Sequence, residues 1–183
     1  MINCALFEPD IPQNAGAVLR IGACFGVPIH IIHPCGFVLT DRSLKRAGLD
    51  YLSRAAIMEH ADLCAFDGWR RASGRRLVAL SAHAAKALPA FAFRADDAIL
   101  LGRETSGLSE AARAAADAIV RIPIRPGNRS LNMAVAAGLG LFEALRQTGG
   151  LSDDKFDHPL RCASLGRIAG RDIAGSERSR RSQ

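Results

Sequence analysis

The feature that most constrains this chain is a repeated alternation of short, mostly apolar runs with longer segments of helical spacing. The runs lie at 2–7, 29–32, 77–80, 98–101 and 119–124. Each is too short for a buried helix and lacks the apolar/polar alternation of a strand with one wet face, so each reads as a strand covered on both sides. Between them, Ala17, Val18, Ile21 and Phe25 recur at helical spacing over 14–25 and stop at Gly26. Helices are also expected at 63–71, at 109–116 behind a Ser109 cap, and at 131–147 behind Ser130 or Asn128. Strands alternating with helices predict an α/β fold, a mostly parallel sheet with helices on both faces. The polar stretch 41–60 reads as loop, and Glu8-Pro9-Asp10-Ile11-Pro12 as a break between the first strand and the first helix.

A chain of 183 residues supports one domain with a sizeable core. The expected unit is 1–150. Residues 151–183 turn polar and arginine-rich, and are expected to be a disordered tail. The net charge is +6, of which +4 falls on the first 150 residues, a bias compatible with RNA. Arginine outnumbers lysine 21 to 3, so almost every cation can make planar, bidentate phosphate contacts. No apolar run is long enough for a membrane span, and the acid at Glu8 comes too early for a signal peptide. A cytoplasmic protein is expected. Cys4, Cys24, Cys35, Cys64 and Cys162 form no metal or disulfide pattern and read as buried reduced thiols.

In an open α/β sheet, ligands bind beyond the carboxyl ends of the strands. Three ends carry suitable residues: Leu80-Ser81, then Leu101-Gly102-Arg103-Glu104, then Ile122-Pro123-Ile124 leading to Asn128-Arg129-Ser130-Leu131-Asn132. Glycine at 102 lets another group approach the backbone. The slot after the first strand lacks the glycines of a dinucleotide site, and no phosphate-binding GxxxxGK[ST] loop is present. The five histidines show no metal-ligand spacing.

Pro12-Gln13-Asn14-Ala15-Gly16 with Arg20, Gly102-Arg103-Glu104-Thr105-Ser106-Gly107-Leu108, and Ile122-Pro123-Ile124 through Ser130-Leu131-Asn132 resemble, in order, the three motifs of SPOUT ribose methyltransferases. The likeness covers about residues 1–150. It is nearest to the short bacterial tRNA (cytidine/uridine) wobble 2′-O-methyltransferases, of which Glu8-Pro9-Asp10-Ile11-Pro12 and Arg46-Ala47-Gly48-Leu49-Asp50-Tyr51 look typical. The resemblance implies a trefoil knot near the carboxyl end of the domain, a homodimer, a tRNA substrate and S-adenosylmethionine as methyl donor. It places cofactor contacts at Leu80, Gly102, Ile122 and Ser130, and substrate contacts at Asn14 and Arg129. It gives catalytic roles to Arg20, Asn132 and Glu104. A guanidinium pKa above about 12 favours phosphate clamping over proton abstraction for Arg20. A sulfonium donor needs no metal. Two positions depart from the pattern: Arg103 stands where proline is common, which alters loop stiffness or adds an RNA contact, and Phe142 stands where some relatives carry tyrosine. The alternatives are ribose methylation of another RNA such as ribosomal RNA, and a non-catalytic RNA-binding module of the same fold. A flavin- or nucleotide-binding α/β protein would show no affinity for S-adenosylmethionine.

Overall fold

The computed structural model describes residues 1–38 and 56–151. The motif at 46–51 and the tail beyond Leu151 lie outside them. In chain order the elements are β1 (Asn3–Phe7), α1 (Pro12–Phe25), β2 (Ile29–Ile32), β3 (Ile57–His60), α2 (Leu63–Ala72), β4 (Leu77–Leu80), β5 (Lys86–Ala87), a 3₁₀ turn (Leu88–Ala90), β6 (Ala98–Leu101), α3 (Glu110–Ala115), β7 (Ala118–Arg121) and α4 (Met133–Gln147). The described strands form one sheet in the order β3-β2-β1-β6-β4-β7-β5, and every pairing is parallel. The expected α/β architecture is what the chain adopts.

The strand side chains divide between two buried layers, as the period of two requires. Cys4, Leu6, Ile29, Ile31, Val78, Leu80, Ile99 and Leu101 pack with Val18 and Leu19 of α1 and Leu141 of α4. Ala5, Phe7, Ile32, Leu77, Ala79 and Leu100 pack with Phe66 of α2 and Ala112 of α3. Helix α4 sits close on the sheet because Gly140 has no side chain: an added Cβ would lie 2.8 Å from Leu80 Cδ1.

Several local expectations are corrected. Pro12 opens α1 rather than preceding it, since its missing N–H is an orphan in the first turn anyway. The cap of α4 is Asn132, whose Oδ1 accepts from the N–H groups of Ala134 (2.8 Å) and Val135 (3.4 Å), not Ser130 or Asn128. The last apolar run holds strand form only through Arg121, leaving Ile122–Ile124 as a loop. Residues 57–60, expected as loop, pair with β2 as an edge strand. Of the cysteines, Cys4 alone among the described residues is fully buried, which pushes its thiol up to about 12, while Cys24 and Cys64 are exposed. No described helix is long and apolar enough to cross a membrane.

A largely buried polar chain runs from β1 through β2 to the edge strand β3. Asn3 Nδ2 donates to the Met1 carbonyl, which turns its Oδ1 toward His30 Nε2 at 2.9 Å. His30 therefore carries its proton on Nε2, and its bare Nδ1 accepts from His60 Nε2 at 2.8 Å. Trp69 and Phe66 pack against both rings. Burial, with the neighbouring His60 and Arg75 charges, pulls His30 down to about 3, and burial also lowers His60. An unfolded histidine takes a proton below about 6.5, so between that pH and about 3 the unfolded chain binds more protons than the native one. Stability is complete above pH 6.5 and falls with acidification, by about 1.4 kcal/mol per pH unit for one such group. Urea titrations between pH 6.5 and 4.5 should show this slope in the parent protein. His30→Gln, which has no ring to titrate, should flatten it.

Candidate active site

The order β1-β6-β4-β7 sets four strand ends side by side. The segments leaving them line one open cleft of about 600 Å³. Its walls include Asn14, Leu80, Gly102, Glu104, Ile122, Arg129, Ser130 and Asn132, so every candidate taken from the sequence lies there except Arg20. Arg20 follows Asn14 by six residues of α1. At 100° per residue the two side chains point about 120° apart, and Arg20 sits on the exposed face of α1.

A directed hydrogen-bond chain crosses the cleft. The first N–H groups of α4 claim Asn132 Oδ1, which leaves Nδ2 to donate to Asn14 Oδ1 at 2.8 Å. Asn14 then donates from Nδ2 to Glu104 Oε1 at 2.9 Å. The Asp10 N–H donates to the other oxygen, Oε2, at 2.8 Å. The helix end fixes one amide, which fixes the second, which aims at a carboxylate that can only accept. Each carboxylate oxygen of Glu104 thus already holds a donor, which makes Glu104 an anchor for Asn14.

The turn after β6 is closed by paired bonds between the Arg103 and Gly107 backbones, at 3.0 and 2.9 Å. Gly107 has φ +71°. A Cβ on Gly102 would fall on the Gly107 backbone. The glycine at 102 is therefore required by the folding of its own turn, a reason the sequence reading did not include. Arg103 bonds to Glu8 and Asp10, while Thr105 donates to Asp10. These donors hold the Asp10 carboxyl down to about 2.

Arg113 from α3 and His83 from the turn after β4 also line the cleft. Sequence reasoning missed both. Arg113 lies in an alanine-rich helix that reads as having a solvated face, and His83 has no partner spacing to mark it.

The SpoU rRNA Methylase family model matches residues 1–142, and the chain belongs to this family. It is 53% identical over 148 residues to the tRNA (cytidine(34)-2'-O)-methyltransferase of Beijerinckia indica, covering 81% of this chain and 92% of that one. A solved structure concerned with the 2-OH methylation of C/U34 on tRNA superposes with a TM-score of 0.76 at 41% identity, over 80% of this chain and 95% of that one. The SpoU methyltransferase AviRb from Streptomyces viridochromogenes, in complex with AdoMet, gives a TM-score of 0.72 at 29% identity, over 79% of this chain and 57% of that one.

Asn132 has two separable tasks, capping α4 and holding Asn14. Asn132→Ala removes both and should lower the unfolding free energy by about 1 kcal/mol, the usual value of such a cap. Asn132→Asp keeps an oxygen at the helix end and should be as stable as the parent in denaturant titrations, while losing the donor to Asn14.

Proposed function

We infer that this protein transfers the methyl group of S-adenosylmethionine to the ribose 2′-hydroxyl of the wobble nucleotide in a tRNA anticodon. The observation that carries this is the directed Asn132–Asn14–Glu104 chain across a cleft at four adjacent strand ends, in a chain 53% identical to an enzyme named for that reaction.

The cleft suits the cofactor chemically. Leu80, Leu101, Leu108, Ile122 and Ile124 offer apolar surface for a flat base, and Ser81, Ser130 and the backbone around Gly102 offer polar groups for a sugar and an amino acid. When bound, the cofactor supplies a methyl group already activated by a sulfonium, so the reading requires no metal. Leu80, Gly102, Ile122 and Ser130 would hold it. Asn14 and Arg129 would meet the RNA, and Asn132 would orient the hydroxyl beside the donor. Arg20 would hold the neighbouring phosphate and stabilise the charge that develops as the 2′-proton leaves to phosphate or water.

Helix α4 presents Val135, Leu139 and Phe142 to solvent, at 50, 45 and 50% exposure. Spacings of four and three residues make them one stripe, and Ile21 of α1 meets Gly138 at its border. A second copy of this chain is the proposed cover, as a two-fold homodimer. It would also cover the side of α1 that bears Arg20, so that Arg20 acts across the interface rather than in its own cleft. The proposed unit is 1–150, with 151–183 a polar tail and a cytoplasmic site of action. The family match over 1–142 supports that boundary. A trefoil knot belongs to the same reading, supported by a strand order in which the chain leaving β6 passes β4 to reach β7.

Methyl transfer from labelled S-adenosylmethionine to total tRNA, with the modified nucleotide mapped, tests the function. Label at the 2′-oxygen of position 34 is expected. Label confined to ribosomal RNA, or no transfer at all, overturns the reading. Arg20→Ala should lower single-turnover transfer about 100-fold or more while leaving S-adenosylhomocysteine affinity within about twofold. Asn132→Asp should be similarly slow despite its stability. Leu139→Glu should convert the dimer to a monomer by light scattering.

A further inference from the structure

Three consecutive residues of the turn after β6 grip the segment that follows β1. Arg103 donates from Nε (3.1 Å) and Nη2 (2.6 Å) to Asp10 Oδ1, and from Nη1 to Glu8 Oε2 at 3.0 Å. Glu104 accepts from the Asp10 N–H and from Asn14. Thr105 Oγ1 donates to Asp10 Oδ2 at 2.5 Å. Glu8 sits at φ +47°, a conformation that side chains other than glycine seldom adopt. Gly36 closes the far side: its N–H donates to the Pro9 carbonyl at 2.9 Å, and an added Cβ would lie 3.0 Å from Asp10 Cα.

We propose that Arg103 is a positioning residue for methyl transfer, a clasp between the turn that forms the cofactor wall and the segment that carries Asn14. The proposal rests on the function inferred above. Its logic is mechanical. The Asp10 N–H is one of the two donors that orient Glu104, and Glu104 orients Asn14. A shift of residues 8–10 therefore reaches Asn14, and through it the amide of Asn132. Two carboxylates take three of the five guanidinium N–H groups and offset its charge, which leaves Arg103 a poor phosphate ligand. Of loop stiffness and an RNA contact, the proposal takes stiffness. The clasp does not fail near neutral pH, because Asp10 stays ionised down to about 2.

Arg103→Met keeps the stem and removes the fork. In the ligand-free variant, the Asp10 amide should exchange with solvent roughly tenfold faster, and the Asn14 side-chain amide resonances should move. With tRNA, kcat should fall about tenfold or more, since small misplacements at a reacting centre are costly. KM for tRNA and Kd for S-adenosylhomocysteine should stay within about threefold of the parent. Arg103→Lys should recover only part of kcat, because one ammonium does not replace a planar fork. Adding Arg103→Met to Asp10→Asn should cost little more. If Arg103→Met does not fold, Arg103→Gln serves the same measurements. Unchanged Asp10 exchange and Asn14 resonances overturn the proposal. So does a rise in KM for tRNA at constant kcat, which would make Arg103 an RNA contact. If the parent protein transfers no methyl to tRNA, the functional reading falls, and the exchange and resonance data still decide whether Arg103 holds Asn14.

Discussion

Leu6, Leu101, Leu80 and Val120 form one row across β1, β6, β4 and β7, and the rest of the molecule depends on that row. Because all these strands are parallel, the chain leaves each one at the same level of the sheet. The neighbouring positions, Phe7, Gly102, Ser81 and Arg121, begin the segments that lead into the cleft. Register is enforced by burial: a slip of one residue would exchange the two faces of a strand. Each fully buried leucine contributes about 1.5–3 kcal/mol that such a slip would put at risk. Residues about 90 to 118 positions apart in sequence thus meet at hydrogen-bond distance, as Asn14 does with Glu104 and with Asn132.

The direction of the polar chain is as important as its existence. An isolated asparagine can present either end of its amide, and a site built from two of them could settle in several ways. Here the start of α4 selects one end of Asn132, and the acceptor-only carboxylate of Glu104 selects one end of Asn14. The two constraints agree, so no amide in the chain is frustrated. This preorganisation costs nothing at the moment of reaction, the condition under which dipoles accelerate a step.

The strands at 29–32, 77–80 and 98–101 were legible to the residue, because a short run buried on both faces has no other reading at that length. β3 was not legible. Its Ile-Met-Glu-His sequence is that of an edge strand half in water, and strand form there comes from pairing with β2. The cleft candidates were legible as strand-end residues, but the cap of α4 was misplaced because Asn128, Ser130 and Asn132 are all competent caps and only the path of the loop chooses among them. The need for glycine at 102 was seen, but the demand that its own turn makes was not, since the clash is with residue 107. The Arg103 clasp left no trace in the local sequence: its partners lie 93 and 95 positions away.

The charge distribution then follows from what the clasp consumes. Arg70, Arg76, Arg103 and Arg146 are each held by carboxylates. They stiffen the protein and offer little to an anion outside it. Arg113 and Arg129 line the cleft and make no ion pair with a described residue. The charge at the cleft is set by these two arginines and by Glu104, which faces amide donors and no described cation, rather than by the +6 of the whole chain. An RNA backbone responds to that local field rather than to the total. The same arginine-rich composition serves two ends: where carboxylates sit opposite, the planar fork locks backbone segments together, and where none do, it remains available for phosphate.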